Sequence, residues 1–209
     1  MVTLRSDLTY AQLSQNNANH SYQLNNPISV PYLKKNLQKA QPRLVLNQAT
    51  EKRLREKLQT DPLIQHIYQA IKYNAASLLA LDLITVDIPD NPRSQQNQLG
   101  ISRDFLYRIN MLGMVYFVEK NPDILQRLNE EVIAACNFLT WNPKHFLDVG
   151  EMSLAIALAL DWTAGKLPKS TISLAKKSLI EKGILPSWPE NGETPRWVNG
   201  TNNWNQVCN

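Results

Sequence analysis

The residues best suited to chemistry lie in the run Trp197-Val198-Asn199-Gly200-Thr201-Asn202-Asn203-Trp204-Asn205-Gln206-Val207-Cys208-Asn209. Asn199, Asn202, Asn203 and Asn205 stand here beside the indoles of Trp197 and Trp204. An amide offers donors and acceptors to hydroxyl groups and donors to a carboxylate, while an indole supplies a rigid apolar face with one N–H. The mixture suits a carbohydrate. The same composition also makes a surface loop in which Asn side chains close Asx turns and indoles fill gaps between helices.

Two further groups could join such a site. Arg103, in Ser102-Arg103-Asp104 at the start of a helical stretch, carries a planar fork of donors that matches a carboxylate. Its alternative is a salt bridge to Asp104 or Glu151. His145, Asp148 and Glu151 fall at i, i+3 and i+6, so successive members lie close on one side of a helix and can line a cleft at its N-terminal end. His145 serves equally well as a helix cap or a hydrogen-bonded structural histidine. The trio is not read as a metal site, and no cofactor is expected. His66 sits beside an apolar stripe and reads as structural, and His20 carries no argument. Cys136 and Cys208 have no Cys or His at zinc spacing and read as ordinary thiols.

The elements that must position these residues are helices. Apolar residues recur at three and four positions rather than at two, punctuated by 7 glycines and 12 prolines. Residues 1–41 form a polar arm with one short helix near 32–39. Asn47 caps a helix over 48–59 with Leu54 and Leu58 on one face, and Asp61-Pro62 opens another in cap-then-proline order. There Leu63, Ile64, Ile67, Ile71, Ala75, Leu78 and Leu79 form one apolar stripe. The stretch 87–98, with Pro89 and Pro92, breaks the pattern. Residues 101–119 are helical with Phe105, Ile109, Leu112 and Tyr116 on one side, and Asn121-Pro122 restarts a helix to about Phe138. Trp141-Asn142-Pro143 makes a turn, and 145–162 is an apolar helix that should be buried on most faces. A turn over 164–169 leads to a helix over 170–182, with Gly183 as its C′ residue. Beyond Leu185, prolines interrupt the chain and three of the five tryptophans fall: Trp188, Trp197 and Trp204. Helices joined by two or three residues pack antiparallel, so the fold class is all-α, built of antiparallel helical hairpins. Successive hairpins stay open as a solenoid or close as an (α/α) toroid. The domain division is a polar arm over 1–41 and a domain of helical hairpins over 42–209, which the resemblance described below makes a partial toroid.

Length and composition bound the function classes. The chain has 209 residues, of which 43% are hydrophobic and 19% charged, with 22 basic and 18 acidic residues for a formal charge of +4. That is globular composition, long enough for one sizeable core and mildly cationic. No apolar run approaches the length of a membrane span, and the N-terminus lacks the apolar run of a secretory signal. Nucleic-acid binding is not expected, because no Lys/Arg stripe is interleaved with aromatics.

Four strings in order carry a family likeness: Gln41-Pro42-Arg43-Leu44-Val45-Leu46, then Gly100-Ile101-Ser102-Arg103-Asp104, then Trp141-Asn142-Pro143-Lys144-His145-Phe146-Leu147-Asp148-Val149-Gly150-Glu151-Met152, then Asn202-Asn203-Trp204-Asn205-Gln206-Val207-Cys208-Asn209. Together they make residues 41–209 resemble the N-terminal helical half of the heparinase II/III-like polysaccharide lyases, which include alginate lyases. The resemblance implies the incomplete toroid, export to the periplasm or cell surface, and an acidic polysaccharide substrate cleaved by β-elimination at a uronic acid. It implies that Asn202 and Asn203 bind the carboxylate, with Asn203 the neutraliser, and that Arg103, His145, Glu151, Trp204 and Asn205 contact the substrate. In that chemistry Tyr or His acts as base and as acid to the leaving oxygen.

The chain departs from the family pattern, in which the catalytic tyrosine and one or more histidines follow the Asn-rich motif, since no tyrosine occurs after Tyr116. A fragment carrying half a cleft is therefore expected, with an uncovered apolar face that invites self-association. The alternatives are a carbohydrate-binding or inactive toroid, and a protein-binding α-solenoid. A solenoid would show similar repeats, whereas these hairpins are dissimilar.

Overall fold

The computed structural model describes residues 29–86, 98–187, 195, 197–198 and 200–208. Of the break expected over 87–98, Gln98 is instead the first residue of a helix and residues 87–97 lie outside the described residues, as do most of the arm, His20, Trp188, Asn199 and Asn209. The chain divides into two compact units, Met1–Gln38 and Lys39–Asn209. In the first, helix α1 (Val30–Asn36) begins where Ser29 Oγ accepts from Tyr32 N at 3.2 Å, with Pro31 in its first turn.

The second unit is all-helical among its described residues, as its apolar spacing predicts: α2 (Gln48–Thr60), α3 (Pro62–Leu79), α4 (Gln98–Glu119), α5 (Pro122–Cys136), α6 (Phe146–Trp162), α7 (Lys169–Ser178) and α8 (Asn203–Cys208). Three starts use the same device. Asn47, Asp61 and Asn121 each turn a side-chain oxygen back onto the first backbone N–H groups of α2, α3 and α5, and Pro62 and Pro122 fill first-turn positions where no donor is needed. Among the described residues no helix is long and apolar enough to cross a membrane.

Helix α4 is the hub, packing against α3, α5 and, most extensively, α6. Phe105, Ile109 and Leu112 of α4 are fully buried and Tyr116 nearly so; they share one core with Val149, Met152, Ala155, Ile156 and Ala159 of α6. Burying each large side chain contributes about 1.5–3 kcal/mol, which is why the α4–α6 pair anchors the rest. The two helices approach closely at Gly113, where a Cβ would stand 2.8 Å from Cε3 of Trp162. Gly113→Ala is therefore expected to destabilise. Its gain in helix propensity is about 1 kcal/mol, and overpacking against a buried, rigid indole costs about 1–3 kcal/mol. Denaturant unfolding should show a lower midpoint, and an unchanged or raised midpoint would disprove the close-approach reading.

Two buried acids fasten connecting segments. Glu131 of α5, fully buried, accepts from Arg108 Nη1 at 2.9 Å, from Arg127 Nη2 at 2.8 Å and from the backbone N–H of Ile84 at 3.1 Å. Both arginines also donate to the Asp82 carbonyl, so the triad pins the segment that follows α3. Burial works against the Arg108 charge, but Glu131 and then Asp104 outweigh it and hold the guanidinium above its ordinary value. Asp161 of α6, also buried, receives the backbone N–H of Arg43 on both oxygens and that of Leu44 on one, at 2.9–3.0 Å.

The apolar stripe of α3 is only partly covered: Ala75 and Leu78 are buried, but Leu63, Ile67 and Leu79 are exposed. Two expectations need correction. His66, expected as a structural residue beside that stripe, is exposed. Gly183 is not a helix C′ residue. The α-helix ends at Ser178 and passes into a π-helical turn over Leu179–Ile184 and a 3-10 turn over Leu185–Ser187. Gly183 is buried inside this segment, and a Cβ there would lie 2.7 Å from Ser153 Oγ, so a larger residue would have to displace the Ser153 hydroxyl of α6.

Candidate functional site

The site is built at the start of α6, where a rigid turn leaves α5. Trp141 anchors the turn by donating its indole N–H to Ala135 O at 3.1 Å, and Lys182 Nζ donates to the carbonyl oxygens of Cys136 and Phe138, satisfying the exposed end of α5. Asn142 follows at φ 55°, ψ 64°, the left-handed region that Asn tolerates better than most residues. Pro143 then starts a 3-10 turn over Pro143–His145 that runs directly into α6.

This geometry assembles a chain of three polar side chains. Asp148 is buried, with 1% of its surface exposed. Its Oδ2 accepts from Asn142 Nδ2 at 2.7 Å, and its Oδ1 lies 3.1 Å from His145 Nδ1. His145 does not cap α6 through its side chain; its ring faces Asp148 instead and remains half-buried. The ring also meets Trp204 edge to face, with centroids 4.9 Å apart and planes at 87°. Phe146 and Trp197 make a second aromatic pair at 4.5 Å. Gly150 allows α8 to approach, since a Cβ there would lie 3.1 Å from Val207 O.

The residues singled out in the sequence divide into those that remain available and those engaged in structure. Asn203 is exposed, and its amide has no partner among the described residues. Asn202 is exposed and accepts from the backbone N–H of Trp204 at 3.1 Å, which shapes the start of α8. Asn205 points inward and donates to the carbonyl oxygens of Val198 and Trp197, holding the loop rather than facing a ligand. Trp204 brings this segment to His145. Arg103 takes the salt-bridge alternative: its Nε lies 3.6 Å from Glu151 Oε1, yet 63% of its side chain remains exposed. Glu151, at 19%, is the more enclosed partner. Burial pushes the Cys208 thiol of α8 above its ordinary value.

Sequence reasoning noticed Asp148 by spacing alone but gave no role to Asn142. The signal was present in Trp141-Asn142-Pro143, where an Asn before Pro is ordinarily read as a turn residue. Its buried amide, aimed at Asp148 six residues on, is visible only after the turn is built.

The start of α6 thus holds an imidazole against a buried carboxylate and an indole of α8, the exposed Asn203 amide stands next to that indole in the chain, and Arg103 of α4 pairs separately with Glu151 of α6. An amide and a guanidinium can each donate to a carboxylate or to hydroxyl groups. The chain matches no family model and no curated protein.

Proposed function

We propose that this chain is the helical part of a polysaccharide lyase that cleaves uronic-acid-containing polymers by β-elimination, its helical hairpins forming part of an incomplete (α/α) toroid of a periplasmic or secreted protein. The observation that carries this reading is the docking of the Asn-rich segment, through Trp204, onto His145, with the Asn203 amide left exposed and unpartnered among the described residues. A polar amide with no structural bond beside an aromatic wall is what a sugar carboxylate or hydroxyl needs.

The chemistry follows from the acidity problem at the uronate. The proton beside the carboxylate is very weakly acidic, and it becomes removable only when the carboxylate is neutralised as it gains enolate character. Hydrogen-bond donors fixed in place do this better than water, because they need no reorganisation at the moment of reaction. In this reading the Asn203 amide donates to the carboxylate and Asn202 supports it. The Trp204 indole offers the sugar ring an apolar face, and Arg103 turns from Glu151 toward a neighbouring uronate.

Incubating the chain with alginate, heparan sulfate, heparin and hyaluronan, and following near-ultraviolet absorbance, tests the reading. Elimination leaves a conjugated 4,5-unsaturated uronate, so absorbance should rise on at least one polymer. No rise on any of them overturns a working lyase site within this chain and favours a truncated or binding-only toroid. Polymer binding without a rise would favour a carbohydrate-binding toroid.

A further inference from the structure

We propose that the cleft between the C-terminal end of α6, α7 and the segment 41–44 binds a small aliphatic carboxylate, a ligand with an apolar tail and an anionic head. Ala157 and Asp161 lie on α6 roughly 20 Å along the axis from His145, so this site is independent of the lyase reading.

The cleft follows from how α7 is seated. Thr171, Ala175 and Ser178, at spacings of four and three, are the buried face of α7, and Thr171 Oγ1 donates to Asn129 Oδ1 of α5 at 2.6 Å. That face sets α7 mainly on α5 rather than on α6. Ile172 and Lys176, with Leu179 just beyond the helix, form the adjoining stripe at the same spacing. Together with Ala157, Leu160 and Asp161 of α6 they line a cleft of about 370 Å³, and Gln41, Arg43 and Leu44 make its remaining wall. The wall is tied in place, because Asp161, 2% exposed, takes the backbone N–H of Arg43 on both oxygens and that of Leu44 on one. Small-molecule sites run from about 300 to 1,000 Å³, so the cleft is large enough for a short-chain ligand.

The lining selects the ligand. Leu44, Ala157, Leu160, Ile172 and Leu179 are aliphatic, and no aromatic ring lines the cleft among the described residues. It therefore offers no flat platform to a sugar or a nucleobase and suits a flexible hydrocarbon tail. Asp161 has nothing to give a ligand cation, since it is buried and both its oxygens already receive backbone N–H groups. Lys176 supplies the head-group donor: it is exposed and pairs with no carboxylate among the described residues. The Arg43 guanidinium adds a second positive charge to the lining, and the Gln41 amide adds further donors. An anion is thereby favoured over an amine or an alcohol.

The test titrates the whole chain with sodium octanoate, below the concentration at which it forms micelles, and follows calorimetry and methyl NMR. Octylamine, octanol and glucuronate are parallel probes. Octanoate should bind at one site and shift the methyl signals of Ala157, Leu160 and Ile172, with the other three probes weaker by about 10-fold or more. Lys176→Glu should weaken octanoate by about 10-fold and keep the wild-type melting temperature, because the side chain is exposed and makes no bond among the described residues. Ala157→Phe puts a ring into the cleft and should abolish binding; if that variant does not fold, Lys176→Glu and the methyl map decide. Absence of a saturable shift at those methyls overturns the site. Full binding by folded Ala157→Phe does the same, because octanoate would then rest on exposed leucines elsewhere. Equal affinity for octanol or octylamine, or full affinity in Lys176→Glu, overturns the anionic head, and displacement of octanoate by glucuronate overturns the aliphatic class.

Discussion

Asn203→Ala is expected to lower kcat for uronate elimination by about 10²- to 10³-fold, the usual cost of removing one donor from a developing oxyanion, while the melting temperature stays at the wild-type value. The separation between the two readouts follows from position. Asn203 is exposed at the start of α8, and its amide makes no bond among the described residues that folding would miss. Asn202→Ala provides the contrast, since the Asn202 oxygen accepts from Trp204 N. Its loss costs about 1 kcal/mol of local order, so activity and α8 should loosen together. Rates on the responsive polymer beside thermal melts of both variants check the pair. A normal kcat in Asn203→Ala would remove it from the carboxylate site.

Glu131→Ala is expected to be the most destabilising single change in the second unit. It deletes the one carboxylate that Arg108 and Arg127 share, and both guanidiniums are buried, at 9% and 8% exposure. Asp104 still pairs with Arg108, but at 43% side-chain exposure it sits at the rim, where solvent screens the attraction. Breaking a buried ion pair costs about 3–5 kcal/mol because the remaining charge is left without compensation. At roughly 2–4 °C per kcal/mol for a chain of this size, that lowers the melting temperature on the order of 10 °C. Replacing all three members with apolar residues of similar volume should recover much of the loss, since such cores are often as stable as the ion pairs they replace. Calorimetry on the single and triple variants decides the matter. A small change in Glu131→Ala would show that solvent reaches the triad.

The placement of the triad also shows why the sequence is only partly legible. Glu131 occupies a position in the apolar series Ile124, Leu128, Val132 and Ala135 of α5, and Arg127 precedes it by four residues. Spacing alone shows an ordinary helical ion pair there. That the pair is buried, that Arg108 joins from α4, and that all three hold the backbone at Asp82 and Ile84 depend on contacts between residues 23 to 47 positions apart in the chain.

The sequence by itself determined the helices and most of their ends. Caps are local: Asn47, Asp61 and Asn121 bond backbone groups two or three residues away, so their identity and a following Pro suffice. The buried side of α4 was equally plain, because a period of three and four residues marks one face regardless of the partner. Only the tertiary structure decided how much of a marked face is covered, as the exposed Leu63 and Ile67 show, and where a glycine admits a neighbouring backbone, as Gly150 against Val207 shows. It alone decided the uses of the polar residues: Asn205 turned inward, Asn203 left exposed with no bond among the described residues, and His145 set against both Asp148 and Trp204. The reason is physical. Helix propensity and capping act within a few residues of the chain, whereas burial and hydrogen-bond partnership belong to surfaces that meet only after the helices have packed.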